Sequence, residues 1–211
     1  MIAIIDLDLG NLHSIDRAVQ AVGGSALITD EVSVIRDADR LILPGVGSFK
    51  AGMSSLINKN LIGTILEHVD RKTPILGICL GMQLLMSRSE ENGTCDGLDL
   101  IPGNVIHFSK FSEFNPANKV PHIGWSSLLA RPTQSWSNTI FADVGEGEDC
   151  YFVHSYCVVP DNPEHILAST HYGEFEFPAA IRKNNVVGCQ FHPEKSGQVG
   201  LKIINNFINN I

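Results

Sequence analysis

Apolar residues in the first ninety positions come in short runs separated by helically spaced segments. "IAIID" (2–6) is a continuous apolar run of strand length, the pattern of a parallel strand buried on both faces. Gly10-Asn11 follows as a turn with a candidate N-cap. Leu12, Ile15, Ala18, Val19 and Val22 then recur at helical spacing until Gly23-Gly24 stops them. "SALIT" (25–29), "RLILPGVG" (40–47) and "PILGI" (74–78) read as three further strands, the second of them running into a turn with two glycines. Helical segments are predicted at about 50–57, 60–70 and 80–87. Repeated strand–helix alternation predicts an α/β fold with a mostly parallel central sheet flanked by helices. Ligands of such sheets sit at the carboxyl ends of the strands.

The second half changes character. Prolines and polar loops dominate from 92 to 138, and short strands follow at roughly 103–108, 150–158, 165–171, 178–182 and 186–191. These extra short strands are expected to be antiparallel. A final amphipathic helix is predicted at about 196–209, on Val199, Leu201, Ile203, Ile204, Phe207 and Ile208. No repeat, low-complexity segment or clean linker divides the chain, so residues 1–211 are expected to form one domain.

Composition narrows the class. The formal net charge is −8 and no basic patch stands out, which argues against nucleic-acid binding. No apolar run approaches the roughly 20 residues that span a bilayer, so no membrane association is expected. Residues 1–6 lack a basic n-region and a cleavage site and read as a first strand, which places the chain in the cytoplasm. The five cysteines, Cys79, Cys95, Cys150, Cys157 and Cys189, show no CxxC spacing, which disfavours a zinc site and predicts free thiols.

One of those cysteines stands apart. Gly77-Ile78-Cys79-Leu80-Gly81 is G-x-C-x-G at a strand-to-helix junction, the design of a nucleophile elbow. Small neighbours permit the tight turn, and a helix N-terminus favours negative charge on sulfur. The N–H of Leu80 would face a developing oxyanion. A small buried core cysteine is the alternative reading. A nucleophilic thiol needs a base. His192-Pro193-Glu194, after the apolar run "VVGCQF", offers an imidazole carried to the sheet edge with a carboxylate to orient it. A turn histidine beside a solvated glutamate is the commoner arrangement for such a tripeptide. "PGVG" (44–47) could bring a backbone amide of Gly45 or Val46 close to a ligand, or be an ordinary βα turn. No Lys-Ser/Thr pair follows it, so it is not a phosphate loop.

Together, "GICLGMQLL", "QFHPEKSG" and "LPGVGSF" resemble the class I (triad) glutamine amidotransferases, whose fold is flavodoxin-like. Within that family, "KVPHIGW", "YFVHSY", "FEFPAAIRKNNVVGCQFHPEKSG" and "GLKIINNF" are similar to the glutaminase subunits of imidazole glycerol phosphate synthases. The likeness runs from the first strand to the last helix. It implies that Cys79 attacks the side-chain amide of glutamine, with His192 as acid and base and Glu194 orienting it. It implies an oxyanion hole from Leu80 and Gly45 or Val46. Gln83, His154, Ser155 and Tyr156 would bind the substrate, and Asn11, Gly124, Trp125 and Lys195 would lie at a partner interface.

The resemblance further implies no cofactor and no metal. Ammonia would pass to a separate (β/α)8-barrel cyclase subunit, which this chain is too short to contain, so a heterodimer is expected. Glutamine hydrolysis would be slow until that partner binds its own ligand. In such subunits the first strand is usually followed by Tyr-Gly-x-Gly-Asn. Here Leu7 and Asp8 replace the aromatic and the first glycine, so the partner contact is expected to differ. Related glutaminases feed sugar amidotransferases of surface-glycan synthesis with the same chemistry, and they are the alternative assignment. A general cysteine hydrolase and a catalytically dead binding subunit are the remaining rivals.

Overall fold

The structure, a computed structural model, describes residues 1–132 and 134–211. The first half runs β1 (Ile2–Ile5), α1 (Leu12–Ala21), β2 (Ala26–Thr29), α2 (Val32–Arg36), β3 (Arg40–Leu43), α3 (Phe49–Asn58), α4 (Ile62–Asp70), β4 (Ile75–Ile78) and α5 (Leu80–Leu84). The second half contributes β5 (Arg88–Ser89), β6 (Cys95–Asp96), β7 (Gly103–His107), β8 (His122–Ser127), β9 (Leu129–Ala130), β10 (Asp149–His154) and β11 (Tyr156–Pro160). It closes with β12 (Ile166–Tyr172), β13 (Phe175–Lys183), β14 (Val186–Cys189) and α6 (Gly197–Asn209).

The main sheet has the order β2-β1-β3-β4-β14-β13-β12-β9. Its first five strands pair in parallel and the other three join antiparallel. The parallel part is the doubly wound arrangement, with the chain reversing direction of growth between β1 and β3. Two-residue alternation sends successive side chains to opposite faces. Ile2, Ile4, Ile42, Leu76, Ile78 and Val187 pack on one side with α1 and α6. Ala3, Ile5, Leu41, Leu43, Ile75 and Val186 pack on the other with the α2–α5 layer. Both faces are buried, which is why these strands read as unbroken apolar runs. Second-half strands also form two smaller sheets, β10-β8 and β11-β7-β5-β6.

Several expectations need correction. The run 150–158 is two strands, because the chain leaves β8 at His154, bends at Ser155 and pairs with β7 from Tyr156 onward. Apolar alternation is the same in both strands and carries no mark of the change of partner. The stretch 92–138 contains β6, β8 and β9 as well as loops and the expected strand at β7. Helix α2 is one five-residue turn, too short for periodicity to reveal. Strand β14 ends at Cys189 and lies inside the sheet, between β4 and β13, so His192 is carried past the end of an interior strand and not to an edge. No helix among the described residues is long and apolar enough to cross a membrane.

Candidate active site

Cys79 sits where β4 turns into α5, with φ 54° and ψ −108°. A non-glycine residue held there stores about 1–3 kcal/mol of backbone strain and needs firm anchoring. The Cys79 N–H donates to the Cys189 carbonyl at 2.8 Å, and the Cys79 carbonyl accepts from Gln83 N–H at 3.2 Å. The two flanking glycines are steric necessities. A Cβ on Gly77 would lie 2.8 Å from the backbone of Gly81, and one on Gly81 would lie 1.7 Å from the Leu43 carbonyl oxygen. Cys79 thereby lines a cavity of about 300 Å³ with Val46, Gly47, Leu80, Gln83 and residues 153–156.

Strand β14 brings His192 to the same place. Its N–H donates to the Tyr151 carbonyl at 2.8 Å, and Pro193 opens a single 3-10 turn, Pro193–Lys195, that folds Glu194 back. His192 Nδ1 and Glu194 Oε1 are 2.8 Å apart, and both side chains are buried. His192 Nε2 is buried without a hydrogen-bond partner. Burial works to lower the His192 pKa, but the negative charges of a Cys79 thiolate and the Glu194 carboxylate beside it outweigh burial and raise the value to about 9. No hydrogen bond closes between Cys79 and His192 at rest. The sulfur instead lies 3.9 Å from the Val153 carbonyl, and Gln190 Nε2 approaches it at 3.7 Å. The arrangement is a thiol, an imidazole with a free inward nitrogen and a carboxylate fixing the other nitrogen, which is competent for nucleophilic attack with proton transfer.

The other four cysteines have no such setting. Burial pushes Cys150 and Cys157 up to about 12 and drives Cys189 up as well, which keeps those three protonated. Cys95 is half-buried, and all five are free.

The oxyanion geometry departs from expectation. The Leu80 N–H does not face open space; it donates to the Gly45 carbonyl at 3.3 Å. The turn after β3 is thus oriented with a carbonyl, not an amide, against the elbow. Gly45 packs closely on Leu80, since a Cβ there would come within 3.1 Å of its side chain. The carbonyl of Gly45 and the N–H of Val46 belong to one peptide unit, so the orientation that occupies Leu80 also turns the Val46 amide away.

Gln83, His154, Ser155 and Tyr156 all line the cavity. Gln83 is buried, and its Nε2 donates to the Tyr156 carbonyl at 3.3 Å and to Gln190 Oε1 at 3.1 Å. Glu91, Pro121 and Val153 complete the wall and were not singled out in the sequence. Nor was Gln190, whose place one residue beyond β14 was the available signal. Asn11 caps α1 and, with Gly10, Pro44–Val46, His192, Glu194 and Lys195, borders a small crevice behind the triad. Gly124 and Trp125 lie apart from it on β8, where Ile123 and Trp125 are 60% and 56% exposed. Lys195 Nζ lies 5.8 Å over the Tyr151 ring, and that ring meets Trp125 edge-on at 5.9 Å. Leu7 is buried in the core, so it offers a partner nothing. Asp8 takes the left-handed φ of 59° and pairs with Lys59 at 2.8 Å.

A glutamine amidotransferase class-I family model matches residues 3–211. The chain is 46% identical over 209 residues to the imidazole glycerol phosphate synthase subunit HisH of Syntrophotalea carbinolica, covering 98% of each chain. It is 44% identical over 207 residues to the subunit of the same name from Halalkalibacterium halodurans, covering 98% of this chain and 94% of that one. PurLQS from Thermotoga maritima superposes with a TM-score of 0.70 at 18% identity, over 99% of this chain and 97% of that one. A crystal structure of a glutamine amidotransferase gives 0.72 at 15% identity, over 95% and 94%. At such identities these two structures speak for the fold alone.

Proposed function

The chain belongs to the class-I glutamine amidotransferases, and on that premise we infer that it is the glutaminase subunit of an imidazole glycerol phosphate synthase, releasing ammonia from glutamine for histidine biosynthesis. The carrying observation is identity of 42–46% along 98% of the chain to subunits of that one enzyme. The chemistry proposed for the site follows from its geometry.

Glutamine enters the cavity with its side-chain amide toward Cys79. His192 Nε2 takes the thiol proton, and sulfur attacks the amide carbon to form a tetrahedral oxyanion. The imidazolium, held by Glu194, returns the proton to the amide nitrogen. The C–N bond breaks, ammonia leaves and a γ-glutamyl thioester remains. His192 then deprotonates water, which attacks the thioester, and glutamate and the free thiol are regenerated. Gln83, His154, Ser155 and Tyr156 wall the substrate.

The resting peptide at Gly45–Val46 predicts slow turnover of the chain alone. Rotating that one peptide withdraws the Gly45 carbonyl from Leu80 and presents the Val46 N–H, so both amides meet the oxyanion. The partner is the (β/α)8-barrel cyclase subunit, HisF, which receives the ammonia and closes the imidazole ring. Asn11, Gly124, Trp125 and Lys195 face it, and the exposed Ile123 and Trp125 supply apolar area for the contact.

Glutaminase turnover of the chain mixed with each candidate acceptor tests this reading. Stimulation by the cyclase barrel is expected. Stimulation by a sugar amidotransferase alone would overturn the assignment of partner. A partner- and substrate-bound crystal form with the Gly45 carbonyl still on Leu80 would count against the peptide rotation.

A further inference from the structure

One wall of the cavity is His154, and the group that holds it lies outside the cavity. Strands β8 and β10 are antiparallel with His122 directly opposite His154, and both residues are buried. His154 Nδ1 lies 2.8 Å from the Tyr156 carbonyl oxygen. A carbonyl only accepts, so Nδ1 carries the proton. Burial holds His154 neutral by lowering it to about 3, which leaves Nε2 as a lone pair. His122 Nδ1 is 3.3 Å from that nitrogen and must donate to it. Burial likewise lowers His122, to about 4, so its Nε2 accepts the hydroxyl proton of Ser126 at 3.1 Å.

Every proton in this row is therefore assigned, and all point one way, from Ser126 through His122 and His154 to the Tyr156 carbonyl. The same carbonyl accepts from Gln83 Nε2 at 3.3 Å, Gln83 Nε2 also meets Gln190 Oε1, and Gln190 Nε2 approaches the Cys79 sulfur. The far end of the row is the pocket itself.

We propose that His122, which does not line the cavity, is a positioning residue for glutamine: by donating to His154 Nε2 it holds that ring on the Tyr156 carbonyl, and thereby places the carbonyl and the Gln83 amide. The proposal rests on the glutaminase reading above. Ring packing and proton donation are separable here. The His122 ring stacks on Tyr172 at 4.3 Å and on Phe152 at 5.3 Å, contacts that a phenyl ring retains. His122→Phe keeps those contacts and removes the donor. His122→Asn loses the ring but returns an amide N–H near the Nδ1 position.

In the chain assembled with its cyclase, His122→Phe is expected to raise KM for glutamine about tenfold, the loss of roughly one buried hydrogen bond, with kcat within about threefold of wild type. His122→Asn is expected to bring KM back to within about threefold of wild type. A His122→Phe variant with unchanged KM overturns the proposal, even if its thermal midpoint falls. If that variant does not fold, imidazole 15N shifts of the wild-type chain decide: both rings protonated on Nδ1 supports the row, and an Nε2 proton on either ring overturns it. A wild-type complex that releases no ammonia overturns this proposal and the glutaminase reading together. An active wild type with an indifferent variant overturns this one alone.

Discussion

The carboxyl ends of β4 and β14 lie side by side in one sheet, and each delivers a cysteine. Cys189 is paired with Ile78 in parallel register, is fully buried, and has its thiol pushed well up by burial. Cys79 is one residue further along its own strand, bonded through its N–H to the Cys189 carbonyl, yet it lines the cavity beside His192. Residue type and depth are nearly the same. What differs is backbone: Cys189 continues a strand, and Cys79 is turned to φ 54° at the foot of a helix. The two settings differ by conformation, and the glycines that permit the turn matter to the Cys79 setting as much as the sulfur does.

The sharpest way to break this comparison is to exchange the fates of the two thiols. Cys79→Ala is expected to lower glutamine-dependent ammonia release by about a thousandfold or more, while Cys189→Ala leaves it within about twofold. Equal losses would mean that the elbow confers nothing.

Glycines in register extend the test to stability. Gly77 pairs with Gly188 across the same two strands. A Cβ on Gly77 meets backbone at 2.8 Å, whereas one on Gly188 meets the movable Met82 side chain at 2.7 Å. Gly77→Ala should cost about 3 kcal/mol and Gly188→Ala about 1 kcal/mol, read from urea midpoints. Next in size, Glu194→Gln should reduce turnover about a hundredfold by loosening His192, with little change in glutamine affinity.

The smallest effect is in pH. His192 is raised to about 9, so its contribution to stability is full below about 6.5 and is lost as pH rises through 9. Removing the Glu194 carboxylate should narrow that alkaline window. His122 and His154 are lowered to about 4 and about 3, so they contribute above about 6.5 and lose that contribution as pH falls toward 4 and then 3. Denaturant midpoints across pH 3–10 should therefore fall on both sides, and the Glu194 variant should alter the alkaline side alone.

Much of the fold was legible because its rules are local. Apolar runs punctuated by glycine located β1 to β4, and helical spacing located α1, α3, α4 and α6 to within a few residues. The candidate triad was legible in the same way, because G-x-C-x-G and H-P-E describe short turns whose shape their own residues dictate. Where a segment changes neighbours, local pattern fails. The switch of 150–158 from β8 to β7 leaves the alternation intact, and β8 hides among prolines.

What the sequence by itself determined is the architecture of the parallel half and the position of one cysteine elbow with a histidine–glutamate pair beside it. Periodicity, glycine placement and turn chemistry act over a few residues, so the chain states them directly. Tertiary structure alone decided that the Leu80 amide rests on the Gly45 carbonyl, that Gln190 stands beside Cys79, and that His122 meets His154 across 32 positions. Those are hydrogen-bond choices among groups brought together by sheet pairing. Any buried donor must find some partner, and only the packed fold settles which one is within reach.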